Sequence, residues 1–241
     1  METLTQILER LARTFTVRDI MVTKEKLVCA STDGEAKRKL EEHEDFDSIP
    51  IVVKGEISAY FHRNTNQRHP IQLEDIISDA TSILDLVDIL KEREFCFILA
   101  DNRIVGYVHF SDLNNSTVKI PFFVILEALE RKLVDEIGSK IKEDNLSLVM
   151  DEKRSDTVKN RMMRMQKKRA NFNWPTLLYF NEIIRFASEF GKIELKKNKI
   201  DLISKIRNLI AHAGDPLVEE HKHVKRLADA KDLCISLLKI I

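Results

Sequence analysis

The sequence predicts an α+β chain in which two similar strand-and-helix repeats precede an all-helical unit. Three observations carry this. An opening motif near the N-terminus, Val17-Arg18-Asp19-Ile20-Met21, returns 56 positions later as Leu73-Glu74-Asp75-Ile76-Ile77. Short apolar strands bounded by turn signals dominate up to about residue 116, whereas helical spacing dominates from about residue 119. Between the two regimes stands a polar seam, Asn114-Asn115-Ser116-Thr117, with Pro121 expected to open the next helix. The expected organisation is an N-terminal helix (1–13), a pair of repeats (about 14–66 and 67–116) and a helical domain (119–241).

Each element follows from local pattern. Met1 to Phe15 reads as an amphipathic helix with no apolar run long enough for a signal peptide or membrane span. In the first repeat, strands are expected at Ile49–Val53 and from Glu56 to Phe61; in the second, at Phe95–Leu99 and from Arg103 to His109. Lys54-Gly55 and Asp101-Asn102 mark the hairpin turns. Beyond the seam, Leu202, Ile203, Ile206, Leu209, Ile210 and Ala213 fall on one side of a helical wheel, a core-facing stripe. Arg207, Asn208 and His212 lie off that stripe. Ser204 and Ala211 share their outer face, where small side chains would let a second helix approach. Gly214 and Pro216 then predict a stop, with His212 in the last helical turn.

The two repeats resemble a tandem of CBS domains, named after cystathionine beta-synthase, each of β-α-β-β-α type. The resemblance rests on the Asp19-Ile20-Met21 opening, the Ile49-Pro50-Ile51-Val52 strand and the Gly106-Tyr107-Val108-His109-Phe110-Ser111-Asp112 closing. It implies an adenine nucleotide in the cleft between repeats, with Asp112 accepting hydrogen bonds from ribose hydroxyls and Asn64 matching it in the first repeat. Phe61 and His109 stand where such domains usually carry Thr or Ser, so His109, His62 or Arg63 would have to serve the phosphates. Thr23 and Ser78, just after the two openings, are candidate base or phosphate contacts. The alternative is a ligand-free dimerisation module.

In the helical part, Arg207-Asn208-Leu209-Ile210-Ala211-His212 joins a phosphate-holding guanidinium to an imidazole that titrates near neutral pH. With 16 arginines and 7 histidines in 241 residues, Arg five places before His is expected by chance about half a time, and Arg38 with His43 is such a pair. Context must separate the two. Arg-Asn-x-x-x-His near the last-but-one helix, together with a first helix opening Pro121-Phe122-Phe123, resembles the HEPN superfamily from about residue 119 to 241. Many of its members are dimeric ribonucleases. The resemblance implies that Arg207 steadies the scissile phosphate, His212 handles the proton of the attacking 2′-hydroxyl and Asn208 orients the site, with no metal. Glu127 and Glu130 resemble polar residues that the first helix of such domains points into the same cleft; as i,i+3 carboxylates beside Arg131 and Lys132 they also read as surface ion pairs.

Composition bounds the rest. Thirty-nine basic residues balance 39 acidic ones, but the charge is uneven: the span from Lys153 to Arg169 is strongly basic, with Asp156 its one acid. Arg161, Arg164, Lys167, Lys168 and Arg169 could grip an RNA backbone, or form the solvated face of a helix whose other edge is Met162 and Met165. Phe172 and Trp174 could stack on bases or seal a core. Three cysteines without metal spacing and no signal peptide point to the cytoplasm. His221 and His223 are two apart, a poor spacing for a helical metal site, and no glycine-rich phosphate loop is present.

These readings lead to one expectation: a homodimeric, metal-independent endoribonuclease regulated by an adenine nucleotide. It would serve stress response, toxin–antitoxin or phage defence, with an antitoxin as a further partner. Two alternatives stay open. One is a non-catalytic sensor that binds RNA or protein, the other a regulatory subunit of another enzyme.

Overall fold

The computed structural model describes residues 6, 10–168, 174–212 and 214–241. The chain divides into two compact units. Of the described residues, a β-rich unit comprises those in 13–118 and 218–224, and a helical unit those in 119–217 and 225–241 together with those before Arg13. The last seven residues of the β-rich unit were expected in the helical domain. They leave it because Asn114 clasps Val218 in both directions: its Nδ2 donates to Val218 O at 2.7 Å and its Oδ1 accepts from Val218 N at 3.0 Å. His221 adds contacts from Nε2 to the carbonyl oxygens of Leu90 at 2.7 Å and Arg93 at 3.1 Å.

In the β-rich unit the first sheet runs β2 (Ser48–Val53), β3 (Glu56–His62) and β4 (Gln67–Pro70), all antiparallel. The second has the order β1 (Val22–Thr23), β7 (Arg103–His109), β6 (Phe95–Ala100) and β5 (Ile76–Ser78), with β5 parallel to β6. Helix α1 (Asp33–Glu42) precedes the first hairpin and α2 (Ile83–Leu90) the second. Thr32 and Ser82 cap them by accepting from the amides of Glu35 and Asp85. Both hairpins turn on two residues with positive φ, Lys54 (52°) with Gly55 (83°) and Asp101 (47°) with Asn102 (63°). This is the geometry that matches strand twist.

The duplication is real, and its register differs from the expected one. Ile51 pairs with Ala59 and Ile98 with Gly106, each just before a bulge, so equivalent residues lie 47 positions apart. Ala30 bridges Ile51 in parallel just as Ile77 pairs with Ile98. The repeated opening motif does form the same structure twice: 3-10 turns at Val17–Asp19 and Leu73–Asp75, in which Asp19 and Asp75 accept from the amides of Thr16 and Gln72 at 2.8 Å. The chains then part. The second opening runs straight into β5, whereas the first crosses to place β1 beside β7 of the other repeat. The closing helix expected of each repeat is absent among the described residues. β4 follows the first hairpin and a 3-10 turn, Phe110–Asn114, follows the second.

The helical unit holds α3 (Ser116–Ile137), α4 (Glu152–Lys167), α5 (Phe180–Phe190), α6 (Lys197–Ala211) and α7 (Lys222–Ile240), which begins within the β-rich unit's last segment. Helix α3 starts five residues before Pro121, because Asn115 Oδ1 accepts from Thr117 N at 3.0 Å and caps it. The core includes Leu129, Leu133, Ile137, Phe186, Ile203 and Leu227, all fully buried. Within it Arg154 makes a two-pronged pair with Glu182, at 2.7 and 2.9 Å, and covers the Tyr179 ring. No helix among the described residues is long and apolar enough to cross a membrane.

Candidate functional site

The Arg-Asn-x-x-x-His motif closes α6. Ile200, Ile203, Ile206 and Ile210 are buried, so the stripe faces the core as expected. Arg207 is half-buried, while Asn208 and His212 are exposed. His212 lies one step beyond the helix rather than in its last turn: α6 ends at Ala211, and His212, with extended backbone (φ −98°, ψ 113°), caps it by donating its N–H to Asn208 O at 3.0 Å. Ala211 is exposed, but the Ser204 hydroxyl is buried, so Ser204 does not share the outer face assigned to it. Ala213 lies outside the described residues.

The two acidic candidates on α3 separate. Glu130 is half-buried; burial pushes its carboxyl above the usual carboxylate range, Arg207 pulls it back, and Glu127 adds to the rise. Glu130 is therefore within electrostatic reach of the motif's arginine. Glu127 accepts from Arg131 Nε at 2.8 Å, an i,i+4 pair on the helix surface.

One residue that pattern reading missed joins the motif. Lys119 is 9% exposed, and its Nζ donates to the carbonyl oxygens of Leu209, His212 and Asp215 at 2.9, 2.6 and 2.8 Å. Its only trace in the sequence is a lysine between Val118 and Ile120, both apolar. The chance pair behaves differently: Arg38 pairs with Glu42, and His43 stacks on Phe46 with ring centroids 4.7 Å apart.

On α4, Arg161, Arg164, Lys167 and Lys168 are exposed, with Met162 buried beneath them and Met165 half-buried. Arg169 and Phe172 lie outside the described residues, as does the Trp174 side chain. Arg154, part of the same charge run, is turned inward by Glu182 and is not available to a phosphate.

In the β-rich unit, His62 and His109 are equivalent by register and behave alike. Each accepts at Nδ1 from the amide two residues on, Asn64 N at 3.1 Å and Ser111 N at 3.3 Å. The counterpart of Asp112 is therefore Thr65 rather than Asn64. Likewise Ser31, not Thr23, is the counterpart of Ser78. Thr23 pairs with Gly106, where a Cβ would meet Val22 O at 2.8 Å, so only glycine allows β1 this close. Ser78 Oγ accepts from Ala80 N at 3.2 Å.

Asp112 is held by the amide of His109 at 2.8 Å, and burial raises its pKa. The His109 ring lies against Phe110, with centroids 4.2 Å apart, and its Nε2 is 3.9 Å from Asp47. Burial lowers its pKa, against the pull of Asp47 and Glu94. Phe110 in turn packs on His221, at 5.5 Å. Arg63, a candidate for phosphate, is instead a structural clamp. It donates to the carbonyls of Phe46, Leu40 and His43 at 2.8, 2.6 and 2.7 Å and closes the end of α1. His221 and His223 are spent on Leu90, Arg93 and Glu219, and among the described residues no group of three or more His, Cys, Asp or Glu is placed to hold a metal.

Two solved structures are similar to part of the chain. One is the CBS domain of the bacterial CNNM/CorC family Mg2+ transporter in complex with ATP: 14% identity, TM-score 0.37, with 48% of this chain and 94% of that chain covered. The other is the same family's CBS domain with the inhibitor IGN95a: 15% identity, TM-score 0.35, with 44% and 78% covered. No protein-family model and no curated protein matches the chain.

Proposed function

We propose that the chain is a metal-independent endoribonuclease that acts as a homodimer and is gated by an adenine nucleotide held by its tandem repeats. The observation that carries this reading is the exposure of Asn208 and His212 at the end of α6, close to an Arg207 within electrostatic reach of Glu130. An imidazole at a helix end can take the proton of a ribose 2′-hydroxyl. The 2′-oxygen then attacks the adjacent phosphorus, and Arg207 neutralises the charge gathering on the phosphoryl oxygens. The 5′-oxygen leaves with a proton from the histidine of the second copy. The products are a 2′,3′-cyclic phosphate and a 5′-hydroxyl, with no oxidant or co-reactant consumed. The exposed basic face of α4 supplies backbone affinity without sequence choice.

Gating finds support in the path of the chain. His212 is followed within six residues by Val218–Val224, which belongs to the β-rich unit and is anchored at Asn114 and His221. His221 packs on Phe110, next to His109 and Asp112 of the candidate nucleotide cleft. A ligand that binds two arrangements of this segment unequally would shift the histidine's surroundings.

The test is cleavage of labelled structured RNA in EDTA, with and without AMP or ATP. The parent should leave cyclic phosphate ends, and His212→Ala should lose at least about 10²-fold in rate, the range of general acid–base catalysis. Equal cleavage by His212→Ala would sink the reading. The basic face of α4 favours a second one, a non-catalytic RNA-binding sensor, which tight binding with no cleavage under any nucleotide would select. A toxin-like role predicts that expressing the parent slows growth and that Arg207→Ala relieves it. A neutralising antitoxin would then be sought by co-purification.

A further inference from the structure

The last carbonyls of a helix lack intrahelical donors and carry the negative end of its dipole. At the end of α6 one of them, Leu209 O, meets the buried ammonium of Lys119, which also binds the carbonyls of His212 and Asp215 just beyond the helix. Taking an ammonium out of water is costly unless its N–H groups find acceptors. Here carbonyls supply them, and their placement has a consequence. Leu209, His212 and Asp215 lie before, at and after the exposed histidine. The main chain is thus gripped on both sides of a ring that is itself left open to solvent.

We propose that Lys119 is a positioning residue for His212, fixing the turn from Leu209 to Asp215 from which the imidazole is presented. For its effect on rate this rests on the ribonuclease reading above; its effect on the turn rests on geometry alone. Lys119 does not touch the reacting atoms in this account. It narrows the range of positions the imidazole samples, and a misplacement of 1 Å at a reacting group costs on the order of 10²-fold in rate.

Methionine keeps the length of the lysine stem and removes every donor. Arginine keeps a charge and several donors in a different geometry. Full-length Lys119→Met and Lys119→Arg are compared with the parent, with His212→Ala, and with Leu146→Ala, a core truncation at a fully buried site. Each is assayed below its own melting temperature for kcat and KM on RNA, and by NMR for the His212 ring resonance and the exchange rate of its amide. We expect Lys119→Met to lose at least about tenfold in kcat with KM within about twofold, to shift the His212 ring resonance and to speed amide exchange there by about tenfold. Lys119→Arg should recover part of each. Leu146→Ala should lower the melting temperature without moving the ring resonance.

The inference is overturned if Lys119→Met matches the parent or the Leu146→Ala control in kcat and in the His212 resonance while His212→Ala abolishes cleavage. If His212→Ala cleaves as well as the parent, the ribonuclease reading fails by itself. The NMR comparison then decides the positioning role: a shifted resonance upholds it and an unchanged one ends it. Should Lys119→Met not fold, Lys119→Gln, which retains an amide donor, carries the same comparison.

Discussion

Burial sets the protonation behaviour of individual groups around both candidate sites. Glu130 is raised by desolvation despite Arg207. A folded value above the unfolded one means that its contribution to stability is present below the ordinary carboxylate range and is lost as pH rises through the folded value. Glu130→Gln should therefore raise the melting temperature at pH 7 by about 2 °C, with the gain vanishing near pH 4. Scanning calorimetry at the two pH values checks this, and a gain of equal size at both would show that titration is not the cause. His109 has the opposite sign, since burial lowers it: its contribution is present above the ordinary imidazole range and lost as pH falls through the folded value. The legibility of the site divides along similar lines. The placement of Arg207 and Asn208 off the core could be read because the apolar stripe of α6 leaves only certain faces open, whereas the step of His212 out of the helix could not. Lys119 could not, since a lysine beside two apolar residues looks the same whether its head reaches water or three carbonyls.

Among elements, the hairpins were the most legible, because Lys54-Gly55 and Asp101-Asn102 are residue pairs suited to a two-residue turn with positive φ. β4 was not legible. Gln67–Pro70 is polar and largely exposed, an edge strand paired on one side only, so it shows no alternation to read. The match of Asn64 to Asp112 lies one place out of register, because local similarity does not carry the strand pairing that aligns His62 with His109. Helix α4 has a sharper test. On the proposed reading its exposed arginines would hold RNA chiefly through phosphate charge, so Arg161→Gln with Arg164→Gln should weaken binding alike across unrelated RNA sequences. The slope of log K against log salt should fall by about 1.4 for a single-stranded RNA. Filter binding at several salt concentrations measures it. An unchanged slope would show that this face stays in solvent when RNA binds.

For the molecule as a whole, the segment Val218–Val224 ties the β-rich unit to the stretch that follows His212. It escaped sequence reading because its anchors are side-chain to main-chain bonds over more than a hundred residues, and such bonds leave no periodic trace. His221→Ala removes the contacts with Leu90 and Arg93 and with the Phe110 ring. Hydrogen exchange at His223 and Val224 should quicken by about tenfold. On the proposed reading, cleavage without nucleotide should persist and its response to AMP or ATP should shrink. A full nucleotide response in this variant would mean that the signal takes another route.

That interleaving also dictates an order of assembly. During synthesis the two hairpins emerge early, yet the β-rich unit lacks its closing segment until residue 224 has been made, and the helical unit still awaits α7. The β-rich unit has all its segments only after 224, and the helical unit only after α7. The early hairpins therefore wait for their closing segment through the whole synthesis of α3 to α6, so the β-rich unit passes through translation as a partly closed intermediate.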